Sequence, residues 1–214
     1  MDVDKLRKAL RLYVIPDRRL GAPLSLEEQA RRVLAGGATS LQLRDKEAGG
    51  GELYATAQRV VVLCRRFGAA CFVNDRLDVA LACGADGAHL GQSDLPIAAA
   101  RSVAPASFVI GASAGRVEEA RRAVEDGADY LGVGAVFATG SKDDAKVIGL
   151  EALRAIREAV TAPIVAIGGI SNDNLRDALA CGADGVAVIS AAVRDEPEER
   201  ARRLRETLAA LEAL

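Results

Sequence analysis

Tryptophan is absent from the 214-residue chain, aromatic residues make up 3% of it, and there is one histidine and one methionine. A surface that binds nucleic acid by stacking bases needs aromatic faces, which are scarce here. Charge points the same way, because 28 basic against 30 acidic residues leave a formal net charge of −2. Such a balance makes no general field to draw in nucleic acid or an anionic membrane. A single histidine, His89, cannot build a multi-histidine zinc site, so any metal must be held by oxygen. Cys64, Cys71, Cys83 and Cys181 show no Cys-x-x-Cys spacing and sit among apolar residues or glycine. They are expected as small buried hydrophobes. Half of the residues are hydrophobic, yet no apolar run approaches a membrane span. Nor does a secretion signal open the sequence: Met1-Asp2-Val3-Asp4-Lys5 is charged and runs into a short helical pattern, which points to the cytoplasm.

What is present is a repeated phrase. Gly37-Ala38-Thr39, Gly84-Ala85-Asp86, Gly127-Ala128-Asp129 and Gly182-Ala183-Asp184 each follow a helical run and precede an apolar one, at intervals of 47, 43 and 55 residues. Glycine is the expected left-handed residue closing a helix. The spacing suits two strand–helix units per repeat, hence eight in all. The apolar runs predict strands at Leu12–Ile15, Ser40–Leu43, Ala70–Val73, Gly87–Leu90, Phe108–Ile110, Tyr130–Val133, Ile164–Ile167 and Gly185–Ile189. Ser25-Leu26-Glu27-Glu28 has the form of a capping box, and Asp195 with Pro197 and Glu198 opens a last helix. Short buried strands alternating with amphipathic helices predict an α/β chain, a single-domain (β/α)₈ TIM barrel over residues 1–214. An open doubly wound sheet would show a glycine-rich turn after the first strand, where Ile15-Pro16-Asp17-Arg18 stands instead.

In such a barrel chemistry belongs at the carboxyl ends of the strands. Alternation along Leu41-Gln42-Leu43-Arg44-Asp45-Lys46 sends Gln42, Arg44 and Lys46 to the barrel mouth and the leucines to the helices. Two cations there suit phosphate oxygens; the plainer alternative is a solvated strand end with an ion pair to Asp45. The next two strands end in Asn74-Asp75-Arg76 and Gly91-Gln92-Ser93-Asp94. Carboxylates beside a polyphosphate would repel it unless a cation lay between, and Mg²⁺ favours one or two carboxylates plus phosphate oxygens. Arg44, Lys46, Lys142 and Mg²⁺, less Asp75 and Asp94, sum to about +3, near the charge of an organic diphosphate. The segment Ala138-Thr139-Gly140-Ser141-Lys142-Asp143-Asp144-Ala145-Lys146 offers hydroxyls and lysines, or is simply a surface loop. Gly168-Gly169 after the seventh strand, with Ser190 after the eighth, taken together with the ends of strands two, three, four and six, predicts a second anion site in the same mouth.

These motifs, in this order, resemble those of the thiamine-phosphate synthase family, from Leu12-Tyr13-Val14-Ile15 to Val188-Ile189-Ser190. The resemblance implies a transferase that joins 4-amino-5-hydroxymethyl-2-methylpyrimidine diphosphate to a phosphorylated thiazole, giving thiamine phosphate and pyrophosphate. It implies that Gln42, Leu43, Arg44, Asp45, Lys46, Asn74, Ser113 and Lys142 bind the pyrimidine diphosphate, with Arg44, Lys46, Ser113 and Lys142 catalytic. It further implies that Asp75 and Asp94 hold Mg²⁺, and that Thr139, Gly140, Ser141, Gly169, Ile189 and Ser190 bind the thiazole phosphate. The partners it implies are small phosphorylated molecules, with a homo-oligomer left open. The implied mechanism is dissociative and needs no protein nucleophile. The segment from Ala138 to Ile148 is then expected to order over the bound substrates, with Lys142 as its tether.

This sequence departs from the family pattern at Ser141, usually threonine, and at Ala138, where proline is common. Ala114-Gly115 follows Ser113 where the related thiazole tautomerases carry a histidine, which argues against that activity. His89 is expected as a packed residue rather than an acid or base. Another phosphate-binding barrel isomerase would not need the Asp75 and Asp94 pair, and a non-catalytic binding protein for thiamine precursors would not need to keep every one of these groups.

Overall fold

Eight parallel strands pair in chain order and close on themselves in a computed structural model that describes residues 1–140 and 146–212. They are β1 (Leu12–Val14), β2 (Ser40–Leu43), β3 (Ala70–Asn74), β4 (Gly87–Leu90), β5 (Val109–Ala114), β6 (Tyr130–Gly134), β7 (Ile164–Ile167) and β8 (Gly185–Val188). The helices are α1 (Val3–Ala9), α2 (Leu26–Ala35), α3 (Gly50–Phe67), α4 (Leu77–Cys83), α5 (Ile97–Val103), α6 (Val117–Glu125), α7 (Gly149–Ala159), α8 (Leu175–Ala180), α9 (Ser190–Val193) and α10 (Pro197–Glu212). The expected (β/α)₈ barrel is therefore the observed one. Ser25 caps α2 by accepting from the Glu28 N–H at 3.2 Å, as its sequence signature requires.

The fifth strand departs most from expectation. It runs on through Gly111-Ala112-Ser113-Ala114, residues of low strand propensity that carry no β-branched signal. Pairing decides the matter, since Gly111 lies opposite both His89 and Tyr130, and Ser113 opposite Gly132. The extension places Ser113 on a strand at the barrel mouth.

The repeated phrase has a structural job at the amino ends of alternate strands. Each glycine has a positive φ, between 70° and 100°, and each alanine is buried. The third residue then turns its side-chain oxygen onto a backbone N–H near the start of an odd-numbered strand. Thr39 accepts from Leu12, Asp86 from Cys71, Asp129 from Ile110 and Asp184 from Ile164, all between 2.7 and 2.8 Å. Asp184 also pairs with Arg7 at 3.0 Å and Arg157 at 3.2 Å. Asp184→Ala is expected to lower stability by about 2 kcal/mol, because it strands the Ile164 N–H and removes an ion-pair partner from Arg7 and Arg157. Asp184→Asn, which keeps the acceptor, should cost less. Urea midpoints measure both, and activity at the opposite end of the barrel should not change.

Outward residues of the strands pack against the helices, while an inner cluster fills the barrel. Leu6 and Leu10, on and just after α1, join Tyr13, Phe72, Tyr130 and Val165 in that inner cluster and close the amino-terminal end. Burying each leucine stabilises the fold by about 2 kcal/mol. Tyr13, Phe72 and Tyr130 meet with ring centroids 5.3 to 6.1 Å apart. Cys64, Cys71 and Cys181 are buried as expected, but Cys83, at the end of α4, is only partly so. No helix among the described residues is long and apolar enough to cross a membrane.

Candidate active site

The strands' carboxyl ends surround a cavity of about 1000 Å³, within the range of small-molecule sites. On the β2 side, Gln42, Arg44 and Lys46 line it together, as alternation predicts. Gln42 is 4% exposed and donates from Nε2 to the Tyr13 hydroxyl at 3.0 Å. Leu43 packs outward among the helices. Asp45 is not part of the cavity lining. Its carboxylate takes the Arg18 guanidinium and the N–H groups of Glu47 and Ala48 at 3.2 and 3.3 Å. Burial alone would raise its pKa, but these partners outweigh burial and hold it below the usual range. The ion pair anticipated at this strand end is thus made with Arg18. Arg44 and Lys46 have no hydrogen bond or salt bridge to another described residue; both line the cavity, where their charges act on Asp75.

Asn74 ends β3 and lines the cavity. Asp75 follows with φ 61°, a left-handed conformation that aspartate tolerates better than most residues. Its N–H donates to the His89 carbonyl at 2.9 Å. Asp94 accepts from the Gly91 N–H at 2.7 Å. The two carboxyls interact directly: burial first, then the hydrogen bond and charge of Asp94, push Asp75 up to about 6 against the pull of Lys46 and Arg44. A like-charge pair in that condition is relieved by a cation. Among the described residues no three or more His, Cys, Asp or Glu side chains gather as a metal cage. Two carboxylates suit a hard ion that also takes water and phosphate oxygens, so Asp75 and Asp94 are the residues that could hold Mg²⁺.

Ser113 faces the cavity from β5, its hydroxyl 3.0 Å from His89 Nε2. Thr139 lines the cavity, whereas Gly140 is exposed and does not. Ser141 and Lys142 lie outside the described residues, and with them the middle of the segment expected to close over the substrates. Lys146, beyond it, lines the cavity.

On the β7–β8 side, Gly168 and Gly169 have φ 95° and 67°. A Cβ on Gly169 would sit 2.4 Å from the Ala138 carbonyl oxygen and 2.8 Å from Phe137 Cβ, so the loop after β6 rests directly on this turn. Asn174 holds the turn, donating to the Gly169 carbonyl at 2.9 Å and accepting from the Ser171 N–H at 2.8 Å. Ile189 and Ser190, the first residue of α9, complete this wall.

Motif reading missed three contributors. Tyr13 and Tyr130 reach the cavity floor from within the strands, and only strict alternation would have pointed them inward. Asn174 acts through backbone and never touches the cavity. His89 is packed, as expected, but it also lines the cavity and bridges Tyr130 to Ser113.

A barrel mouth with Arg44 and Lys46 beside a carboxylate pair on one side and a Gly-Gly turn on the other has clear relatives. Thiamine-phosphate synthase of Coprothermobacter proteolyticus is 52% identical over 190 residues, 89% of this chain and 90% of the relative. Thiamine phosphate pyrophosphorylase from Pyrococcus furiosus, a solved structure, superposes with a TM-score of 0.89 at 47% identity, over 96% of this chain and 98% of that one. A 3-hexulose-6-phosphate synthase structure, at 18% identity and TM-score 0.67, over 92% of this chain and 99% of that one, shares the fold alone. The thiamine monophosphate synthase family matches residues 12–192, and the chain belongs to that family.

Proposed function

We propose that the chain joins 4-amino-5-hydroxymethyl-2-methylpyrimidine diphosphate to a 4-methyl-5-(2-phosphooxyethyl)thiazole, giving thiamine phosphate and pyrophosphate. One observation carries this reading: Arg44 and Lys46, neither in a salt bridge with a described residue, stand beside the Asp75–Asp94 pair at one end of a cavity large enough for two substrates. The names of the relatives support it. The bond between the pyrimidine methylene carbon and the diphosphate oxygen breaks first, and its electron pair leaves with pyrophosphate. The thiazole nitrogen then donates its lone pair to the pyrimidinylmethyl cation.

Arg44 and Lys46 bind the diphosphate and stabilise the charge that gathers on it, with Gln42, Asn74 and Ser113 orienting it. Lys142 adds to this set, although it lies outside the described residues. Mg²⁺, held by Asp75 and Asp94, would supply further neutralisation of the leaving group. Thr139, Gly140, Ser141, Gly169, Ile189 and Ser190 bind the thiazole phosphate and bring its nitrogen into line. A tautomerase reading finds no support, since Ala114-Gly115 carry no proton-transfer group and the sole histidine is engaged at both ring nitrogens.

Purified protein given both substrates and Mg²⁺ is expected to form thiamine phosphate and pyrophosphate in equal amounts. No product would refute the assignment. Undiminished product in excess chelator would remove the metal from it.

A further inference from the structure

We propose that His89 is the positioning residue for Ser113: a one-way hydrogen-bond chain from Gln42 through Tyr13, Tyr130 and His89 places the imidazole proton on Nε2 and turns the Ser113 hydroxyl proton into the cavity. The proposal rests on the function proposed above, because the acceptor waiting there is a diphosphate oxygen.

The chain of contacts crosses the barrel floor. Gln42 Nε2 donates to the Tyr13 hydroxyl at 3.0 Å, that hydroxyl is 2.9 Å from the Tyr130 hydroxyl, Tyr130 is 3.0 Å from His89 Nδ1, and His89 Nε2 is 3.0 Å from Ser113 Oγ. Each link fixes the next. An amide N–H is only a donor, so Tyr13 accepts from Gln42, and in the proposed chain its own proton points onward to Tyr130. The Tyr130 proton in turn points to Nδ1, which has to offer a lone pair. A neutral imidazole accepting at Nδ1 carries its proton on Nε2 and donates it to Ser113. The serine oxygen is then an acceptor on its inner side, and its own proton is free for the cavity. Burial, above all, pushes both phenols well above their ordinary range, which keeps them protonated and able to donate.

The fold makes room for this row. A Cβ on Gly111 would lie 2.2 to 2.5 Å from atoms of the Tyr130 ring and its hydroxyl, and one on Gly132 would lie 2.9 Å from His89 Cε1. Two strands therefore give up side chains where the tyrosine and histidine pass. Polarity decides the chemical outcome. With the opposite polarity Ser113 would present lone pairs to the cavity and repel phosphate oxygens. With the polarity inferred here it presents a donor that strengthens as negative charge builds on the departing diphosphate.

Because the chain has a single histidine, its imidazole nitrogens can be read without ambiguity by nitrogen-15 NMR of the whole protein. The expected result is protonated Nε2 and bare Nδ1 in the wild type, with Tyr130→Phe losing that preference and giving mixed tautomers. A proton on Nδ1 in the wild type, or an unaltered tautomer in Tyr130→Phe, overturns the inference whether or not the protein makes thiamine phosphate. Kinetics supply the second arm. His89→Ala should lower kcat about a hundredfold, as loss of an oriented donor does, while KM for the thiazole phosphate stays within about twofold. His89→Gln, with an amide N–H able to reach Ser113, should recover much of the loss. In a Ser113→Ala background, His89→Ala should cost no more than about twofold, the limit expected of a residue acting only through Ser113. Additive losses overturn the proposal. Should His89→Ala fail to fold, the tautomer and Tyr130→Phe still decide it. If the wild type makes no thiamine phosphate, the functional assignment fails while the NMR arm still tests the polarity.

Discussion

Asp94→Asn is expected to lower kcat by about a hundredfold or more while leaving the protein as stable as before. The asparagine oxygen can still accept from the Gly91 N–H, the 2.7 Å contact that shapes the turn after β4. What is lost is one of two negative charges that push against each other beside Arg44 and Lys46. Removing that repulsion should raise the unfolding midpoint slightly if it moves it at all. Asp94→Ala, by contrast, also strands the Gly91 donor and should cost about 1 kcal/mol of stability. Initial rates as a function of Mg²⁺ concentration, read alongside urea midpoints for both variants, separate charge from architecture. Full turnover by the asparagine variant would show that the second carboxylate does nothing for the departing diphosphate.

Gly169→Val should act on the other substrate. The added Cβ meets the Ala138 carbonyl oxygen at 2.4 Å, and φ at 67° is itself unfavourable for a β-branched residue. Relief requires the turn after β7 to part from the loop after β6, and that loop leads to Thr139. Thiazole phosphate affinity is expected to fall by about a hundredfold, equivalent to about 3 kcal/mol of strain and lost contacts. Pyrimidine diphosphate affinity, assigned in the proposed function to groups on the β2–β4 side, should stay within about threefold, since distant sites add nearly independently. Calorimetric titration with each ligand tests this. Equal losses for both would mean that the cavity is one undivided site.

Fold and cation site were legible because their signals are local. Alternation along residues 41–46 places Arg44 and Lys46 at the mouth, and the Gly-Ala-Thr and Gly-Ala-Asp phrases mark the strand pairs. The missing pieces depend on contacts between distant segments. Nothing near Asp45 announces Arg18, which arrives from the loop after β1. Gly111-Ala112-Ser113-Ala114 looks unlike a strand until two neighbours pair with it. His89 reads as packing because its value lies in what it touches: Tyr130, 41 positions away, and Ser113, 24 away. Tyr13 and Gln42 belong to the same row and are 29 positions apart.

Aspartate is used in opposite ways at the two ends of this barrel. At the amino ends Asp86, Asp129 and Asp184 are satisfied by backbone donors, with arginines adding to the last two, so their charges tie neighbouring strands together. At the carboxyl ends Asp75 and Asp94 face one another, and burial with the charge of Asp94 pushes Asp75 up against the pull of Lys46 and Arg44. The barrel is thus a polarised object, bolted at one rim and under electrostatic tension at the other. Evolution can vary the tense rim to suit a new anion without loosening the bolts, and a drift in the bolts will register as lost protein rather than altered chemistry.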